Sequence, residues 1–478
     1  RAQSRSNTFG GLGHVMDKVF WWRIFWITVI LLDIMMIVRS GTRGAVVGLV
    51  VGLLVFALTY ILWGKLRRVK ALSIVLNGGI ILVVIGFVAV KDVAWFRDVT
   101  RSNLMVTRLA NIGSGDFSTM GRINSIRIGF SGFMERPLFG WGPENYTLSY
   151  DRHLTAEVAA RSTESFDQAH NKIIEELVTK GIFGLGAYLA IWIVTFWIMV
   201  RRIKYQVPDV QLFTILIGSA ASAYFAQNMF LFDTPGTVGQ FYILLGFAVF
   251  VETTPHRGYN SLDNRLVGEE AIPKWVDHYR FLRSDLTKKI AIAVGGTAVI
   301  FSVYFFVYGP YQGARNVLVA LNLEANQTQA RTWTDRIGYF DKSIDASPQL
   351  ANYPRRYMFH TLSEHWNSLS NEEIQLALER ADREGIRALK VEPMEWRIHF
   401  ALANFYQTAS IYDTSYLDKS ADLLDEALRL APERTELKQL QVRQFVKEGD
   451  VDAAMKFIDD YLETNSEYLV PDSRVAQT

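Results

Sequence analysis

The chain has 478 residues, of which 50% are hydrophobic and 21% are charged, a balance too apolar for an ordinary soluble protein. Its formal net charge of +2, without long runs of Lys and Arg, argues against a nucleic-acid partner. The absence of cysteine from the sequence excludes disulfides, cysteine-based zinc sites and cysteine nucleophiles.

Seven apolar segments are predicted to cross a membrane, because a spanning helix needs about 20 mostly apolar residues. They are Val19–Val38, Gly44–Trp63, Ala71–Val90, Ile182–Val200, Leu212–Phe230, Val238–Val251 and Ile290–Tyr308. The sixth is short, and we include it because it keeps the flanking segments on alternating sides. The chain begins with Arg1 and has no signal-peptide pattern before the first span, so we expect it to be a fragment that lacks its beginning.

Positive residues in short loops predict the orientation, because they are retained on the cytoplasmic side. Three such clusters flank the spans: Lys65, Arg67, Arg68 and Lys70; Arg201, Arg202 and Lys204; and Arg280, Arg283, Lys288 and Lys289. Alternating spans then put the loop 91–171 and everything after Gly309 outside. The predicted domains are a membrane domain (1–252), a cytoplasmic linker (253–289), a last span (290–308) and an extracytoplasmic domain (313–478).

The tail, residues 313–478, is rich in charge and helical periodicity, and three of its prolines, Pro348, Pro393 and Pro432, each follow a predicted helix. This pattern looks like tetratricopeptide repeats, in which a proline follows the second helix of each pair. The prolines lie 45 and 39 residues apart, whereas the repeat has about 34, so the repeats are degenerate or carry insertions. A generic helical bundle is the alternative. The predicted fold class is therefore all-α, a polytopic membrane domain followed by a soluble helical-repeat domain.

The predicted outer loop contains two motifs. The glycines and prolines of Pro137–Tyr146 predict a tight turn with exposed backbone amides. The motif Phe166–Asn171 places His170 at the outer mouth of a membrane helix. A histidine there can accept a proton from a hydroxyl near neutral pH, and Asp167 could orient its ring, although a single interfacial histidine is more often structural.

Arg43 lies at the outer end of a predicted span, at the same predicted level as His170. Arginines at membrane ends commonly extend to lipid headgroups, so one interpretation is a membrane anchor. The functional interpretation is an anion clamp, because guanidinium groups bind phosphate oxygens in a forked geometry. Arg122 and Arg127 in the loop could add to such a clamp.

Taken together, these motifs resemble the O-antigen ligase and polymerase family. They are Thr42–Gly44, Gly121–Arg122, Pro137–Tyr146, Ala169–Asn171 with Gly181–Gly186, and Asn228–Asp233. The order, the spacing and the shared outer side support the resemblance, which covers residues 20–250, while the tail resembles repeat-bearing members.

The resemblance implies a glycosyltransferase of cell-envelope polysaccharide or lipopolysaccharide synthesis in the cytoplasmic (inner) membrane. It would take a glycan from undecaprenyl diphosphate to an acceptor hydroxyl, with no metal and no cofactor. His170 would activate the acceptor, and Arg43 and Arg122 would engage the diphosphate. The predicted substrate-binding residues are Arg127, Glu144, Asn145, Asp167 and Asn171.

Several alternatives stay open. The acceptor could be a separate lipid, as for a ligase, a growing glycan, as for a polymerase, or a protein, as for a protein oligosaccharyltransferase. The tail could bind a protein partner. A transporter is a second class, although such proteins place charges at the middle of their spans. A membrane-anchored scaffold is a third. We expect deletion of residues 313–478 to abolish a scaffold's function but to leave an enzyme its transfer step.

Overall fold

A computed structural model describes residues 7–101, 104–110, 117–161, 165–203, 208–253, 258–260, 265–267, 285–321 and 332–469. Within these ranges the regular secondary structure is helical apart from one antiparallel hairpin, β1 (Gly258–Asn260) with β2 (Arg265–Val267). The predicted all-α fold class is therefore confirmed. Most of the predicted linker 253–289 lies outside the described residues.

The chain forms two compact units. The membrane unit comprises Arg1–Ile123, Ala169–Glu176 and Gly184–Lys274, and the tail unit comprises Asn124–Gln168, Leu177–Phe183 and Trp275–Thr478. The helices before the hairpin are α1 (Asn7–Ser40), α2 (Arg43–Trp63), α3 (Arg67–Val90), α4 (Ala94–Thr100), α5 (Leu104–Ala110), α6 (Phe117–Glu135), α7 (Tyr146–Arg152), α8 (Ala156–Arg161), α9 (Lys172–Ile203), α10 (Pro208–Gln227) and α11 (Pro235–Thr253).

Six helices of the described chain are long and apolar enough to cross a membrane. They coincide with six of the seven predicted spans, and the short predicted span falls on a shorter apolar helix, Gly236–Glu252. Helix α9 is interrupted at Gly181, whose φ of 67° and ψ of −168° lie outside helical values. The chain is thus a multi-pass membrane protein.

Helices α2 and α10 pack in antiparallel directions through small residues. A Cβ atom added to Gly48 would lie 2.7 Å from the carbonyl oxygen of Ala223, and one added to Gly52 would lie 2.8 Å from the Ala223 Cβ. A Cβ atom added to Gly44 would lie 3.2 Å from the Cβ of Phe230, just beyond the end of α10. Small residues let membrane helices approach at backbone distance, so the start of α2 lies beside the end of α10.

The helices after the hairpin belong to the tail unit. Helix α12 (Asp285–Val303) continues through a π-helical turn (Tyr304–Tyr308) into α13 (Gly309–Leu321), and the following helices are α14 (Trp333–Ala346), α15 (Asn352–Glu364), α16 (Asn371–Val391), α17 (Trp396–Ala409), α18 (Tyr416–Leu430), α19 (Thr435–Glu448) and α20 (Val451–Leu469). Pro348, Pro393 and Pro432 each lie two residues beyond a helix, as predicted. The repeat architecture itself stays a prediction.

Large side chains fill the core of the tail helices. Phe340, Phe359 and Phe405 are almost fully buried in one cluster with Trp366. Burial of such aromatic surface is the main stabilising term in water. The tail helices are therefore held together as in a soluble protein.

The predicted turn between α6 and α7 is confirmed. Gly140 and Gly142 have positive φ angles of 68° and 97°, and Glu144, a non-glycine residue, has a φ of 63°. The predicted exposure of its amides is wrong at two positions, because the amides of Trp141 and Gly142 donate to the carbonyl oxygens of Val178 and Thr179 at 3.0 and 2.7 Å. The turn is thereby held against the first part of α9.

Candidate active site

Arg43 begins α2 and reaches toward α6. It is half-buried, and its guanidinium donates a long hydrogen bond of 3.5 Å to the Thr119 hydroxyl. Arg122 is also half-buried and lies one helical turn after Thr119. Residues three apart share a helix face, so Arg122 lies on the face of α6 that Arg43 contacts.

His170 lies two residues before α9 in a left-handed backbone conformation, with a φ of 52°. Such a conformation costs a non-glycine residue on the order of 1–3 kcal/mol and is concentrated at functional sites. The amide of the preceding Ala169 donates to a Glu175 carboxylate oxygen at 2.7 Å, which fixes the backbone on one side. The half-buried imidazole lies 5.2 Å from the Phe232 ring, measured between centroids.

Asn171 caps the N-terminus of α9. Its side-chain oxygen accepts from the amides of Ile173 and Ile174 at 3.0 and 3.2 Å, and its side-chain nitrogen donates to the Met229 carbonyl at 3.2 Å. Such a cap satisfies helix amides that have no partner within the helix. The amide group of Asn171 is thus used within the protein, and its predicted contact with substrate stays a prediction.

The segment Asn228–Asp233, between α10 and α11, brings the predicted catalytic groups to one end of the membrane unit. Phe230 packs against Gly44, next to Arg43, while Phe232 packs against His170. The Asn228 carbonyl accepts from the amide of Lys172 at 2.8 Å. His170 and Gly44, the residue after Arg43, therefore both contact the same six-residue segment.

Sequence reasoning gave no role to a charged network at this end. The Lys172 ammonium pairs with Glu176 and with Asp233, each at 3.0 Å, and the three side chains are 16%, 4% and 14% exposed. Asp233 also accepts from the Tyr224 hydroxyl and from the Asn228 amide group. Buried, mutually paired ionisable groups in a membrane domain are a recognised sign of function, but neither their burial nor their pairing can be seen in the sequence.

The other predicted site residues belong to the tail unit. Arg127 is exposed on α6, Glu144 is exposed in the turn and Asp167 is exposed in a bend. Asn145 is half-buried before α7, and its side-chain nitrogen donates to the Trp141 carbonyl at 3.0 Å. Substrate binding at these four residues stays a prediction, as does the orientation of the His170 ring by Asp167.

An apolar cavity of about 750 Å³ lies in the membrane unit among α1, α2, α3, α10 and α11. Its lining runs from Ala45, two residues after Arg43, to Phe56 along α2, and includes Tyr224 and Gln227 near the end of α10. Cavities of this size and apolarity are typical of ligand sites. The Ala45 end of the cavity lining is thus close to Arg43 along the chain.

A family model described as O-antigen ligase matches residues 28–189. Neither the curated proteins nor the solved structures gave a match to the chain. The matched residues include Arg43, Arg122 and His170, together with the whole loop between α3 and α9. In this part the chain is similar to the O-antigen ligases, a family of glycan-transferring membrane enzymes.

Proposed function

We propose that the protein transfers a glycan from undecaprenyl diphosphate to an acceptor hydroxyl at the outer face of the cytoplasmic membrane. The chief support is that His170 and Gly44, the residue after Arg43, both contact the Asn228–Asp233 segment, while Arg43 contacts the face of α6 that carries Arg122. A base and a pair of guanidinium groups at one end of a membrane-spanning unit suit a substrate with an anionic group at the membrane surface.

The proposed step is a displacement at the first carbon of the carrier-linked glycan. The acceptor oxygen forms a bond to this carbon, the bond from carbon to the diphosphate oxygen breaks, and the acceptor proton passes to His170. Undecaprenyl diphosphate leaves with the bonding electrons. Fixed guanidinium groups of Arg43 and Arg122 stabilise the negative charge that develops on the leaving group, so the step as proposed needs no metal.

The apolar cavity beside α2 supports a lipid-linked donor. Its lining is mainly aliphatic side chains and glycines, which suit an isoprenoid chain and not a sugar. In this proposal the cavity takes part of the polyprenyl chain, and the diphosphate lies at the Arg43 end. The proposed orientation puts this end and the C-terminal helices outside the cytoplasm, in agreement with the positive clusters of the short loops.

Replacement of His170 by Ala tests the proposed base. Full-length protein in lipid nanodiscs would receive lipid-linked glycan extracted from membranes, and release of undecaprenyl diphosphate would be followed by mass spectrometry. We expect His170→Ala to lower the turnover number by about 10²- to 10⁴-fold, the usual contribution of a general base. His360→Ala is the matched control, because His360 is an exposed side chain of the tail. A His170→Ala protein that inserts normally and turns over at the wild-type rate would contradict the proposed base.

A second pair of variants tests the clamp in the same assay. Arg43→Gln should lower the turnover number by about a hundredfold, because one preorganised charge-stabilising donor is lost. The turnover number of Arg43→Lys should lie between those of the wild type and Arg43→Gln. Arg39→Gln is the control, since Arg39 is an exposed arginine at the neighbouring end of α1. Equal losses at positions 39 and 43 would mean that the two arginines serve only as membrane anchors.

A further inference from the structure

A buried carboxylate in the loop is held by the C-terminal helices. Asp151, on α7, has a side chain only 1% exposed, and it forms ion pairs with Arg434 and, at 3.0 Å, with Arg397. The Trp396 indole nitrogen donates to it at 2.6 Å, and the Ser165 hydroxyl donates at 3.0 Å. We name these five residues the Asp151 clasp.

The charges within and beside the clasp balance. Arg397 also pairs with Glu395 at 3.0 Å, so two carboxylates face two guanidinium groups. The guanidinium carbons of Arg397 and Arg434 lie 5.0 and 5.6 Å from the centre of the Trp396 ring. A buried ion pair is costly to break from one side, because an uncompensated charge stays behind. The clasp therefore strongly disfavours separation of α7 from the C-terminal helices.

The tail contributes to the clasp from two of its three proline turns. Trp396 and Arg397 follow Pro393 at the start of α17, and Arg434 follows Pro432 before α19. At the same surface, Arg152 donates to the carbonyl of Arg429 at 3.3 Å, and α8 contacts α20. The ends of successive tail helices thus form a surface that receives α7 and α8.

Helix α7 is also packed tightly onto α6. Tyr146 is fully buried, and its hydroxyl donates to the Ser125 carbonyl at 2.6 Å. A Cβ atom added to Gly129 would lie 2.8 Å from that hydroxyl. The Trp141 indole nitrogen donates to the Gly132 carbonyl at 2.9 Å. The second half of α6, the turn and α7 therefore form one packed body, which the clasp joins to the C-terminal helices.

This body is connected along the chain to both predicted catalytic ends of the loop. Residues 124–168 begin two positions after Arg122 and end two positions before His170. An interaction that holds such a segment removes conformational freedom from the chain at both junctions. Precise placement of reacting groups accelerates a reaction by large factors. A mutation far from the site that shifts these groups by a small distance can therefore lower the rate strongly.

We propose that Asp151 is a positioning residue for glycan transfer, through which the C-terminal helices hold the loop that carries Arg122 and leads to His170. This inference rests on the proposed function. It alters the expectation from sequence that an enzyme without residues 313–478 keeps its transfer step, because that deletion removes three of the five clasp residues. The C-terminal domain is then part of the transferase itself.

A reversible tether tests the positioning role in the full-length protein. The chain contains no cysteine, so Asp151→Cys with Arg434→Cys would introduce its only two thiols. We expect the unlinked double variant to lose about tenfold to a hundredfold in turnover number, with the Michaelis constant for donor little changed. Joining the two thiols with bis-methanethiosulfonate reagents of graded length should restore most of the rate, and reduction of the link should return the rate to that of the unlinked variant.

Asp151→Asn supplies the second measurement, with the exposed acid Asp92→Asn as its control. We expect Asp151→Asn to lower the turnover number and to speed proteolysis between residues 152 and 165, while Asp92→Asn changes neither. Suppose that the wild-type protein transfers glycan and that this activity depends on His170. Equal rates of the linked and unlinked double variants, or an unchanged rate of Asp151→Asn, would then overturn the positioning role of Asp151. The proposed function would still stand. A wild-type rate that does not depend on His170 overturns the proposed function instead.

Discussion

The membrane unit and the C-terminal helices solve the problem of helix packing in opposite ways. In the membrane unit, α2 meets α10 through Gly48 and Gly52, while large apolar side chains such as Leu82 and Val83 are each 71% exposed. In the tail, aromatic side chains such as Phe405 are fully buried. Lipid gives no hydrophobic drive between helices, so close approach of small residues takes its place, whereas in water burial of large side chains dominates.

The two regions also use buried charge differently. Glu384 of the tail, 2% exposed, accepts from Arg355 and Arg383 at 3.0 Å and from Arg387 at 2.7 Å. It joins α15 to α16 within a helical domain. The Lys172–Asp233 network of the membrane unit lies instead beside His170 and the Asn228–Asp233 segment. A buried charge thus has a structural role in the first case and adjoins the candidate site in the second.

The largest stability effect should come from the aromatic core of the tail. Phe405 packs against Phe359 and Trp366 with ring centroids 6.3 and 5.7 Å apart. Phe405→Ala should lower the free energy of unfolding of the tail helices by about 3–5 kcal/mol, because apolar contacts are lost and a cavity remains. Hydrogen exchange of α15–α17 in the full-length protein would measure the loss.

The matched control is Ile386→Ala, since Ile386 is 70% exposed on α16. This variant should change the same exchange rates little. Equal effects of the two variants would show that the aromatic cluster does not stabilise the tail. The proposed difference in helix packing between the tail and the membrane unit would then be wrong.

A smaller effect is expected where α2 crosses α10. An added methyl group at Gly48 meets a backbone oxygen at 2.7 Å, so Gly48→Ala should force the helices apart at a cost of about 1–3 kcal/mol. Gly79→Ala on α3 meets no atom within 4 Å and should be neutral or stabilising by up to about 1 kcal/mol, since alanine favours helix. Thermal unfolding in nanodiscs would give the two shifts, and shifts of the same sign would contradict packing through glycine.

The smallest effect is a pH dependence of the tail. Burial acts to raise the pKa of Glu384, but hydrogen bonds and charges of Arg383, Arg355 and Arg387 outweigh it and hold the pKa below its usual value. A pKa lowered by folding contributes stability above the unfolded pKa of about 4.3, and this stability is lost as the pH falls through the folded pKa.

Glu384→Gln should therefore flatten the acid-side loss of tail stability, measured by hydrogen exchange between pH 6 and pH 3, about the range in which carboxylates titrate. Glu392→Gln, at an exposed position after α16, should keep the wild-type slope. A wild-type slope in Glu384→Gln would show that other carboxylates cause the acid response.

The apolar spans and the helix ends at proline were predictable because they depend on local composition. About 20 apolar residues form a spanning helix wherever they occur, and proline cannot continue a helix. The tight turn at Gly140 and Gly142 was predictable for the same reason. The short helices α4, α5, α7 and α8 of the loop between α3 and α9 were not predicted, since helices of six or seven residues carry little periodic signal and are stabilised by packing.

The pairings at the candidate site and in the clasp were decided by the tertiary structure. Lys172 and Asp233 are 61 residues apart in the chain, and Asp151 and Arg434 are 283 apart, so no periodicity relates them. Composition and spacing alone determined that the chain crosses a membrane, that charged helices follow the last span, and that His170 and Arg43 lie at the ends of spans, because solvent and backbone geometry act on each segment separately. Which charges meet depends on how the helices pack, since a buried ion pair forms only where two distant segments are brought within a few ångströms.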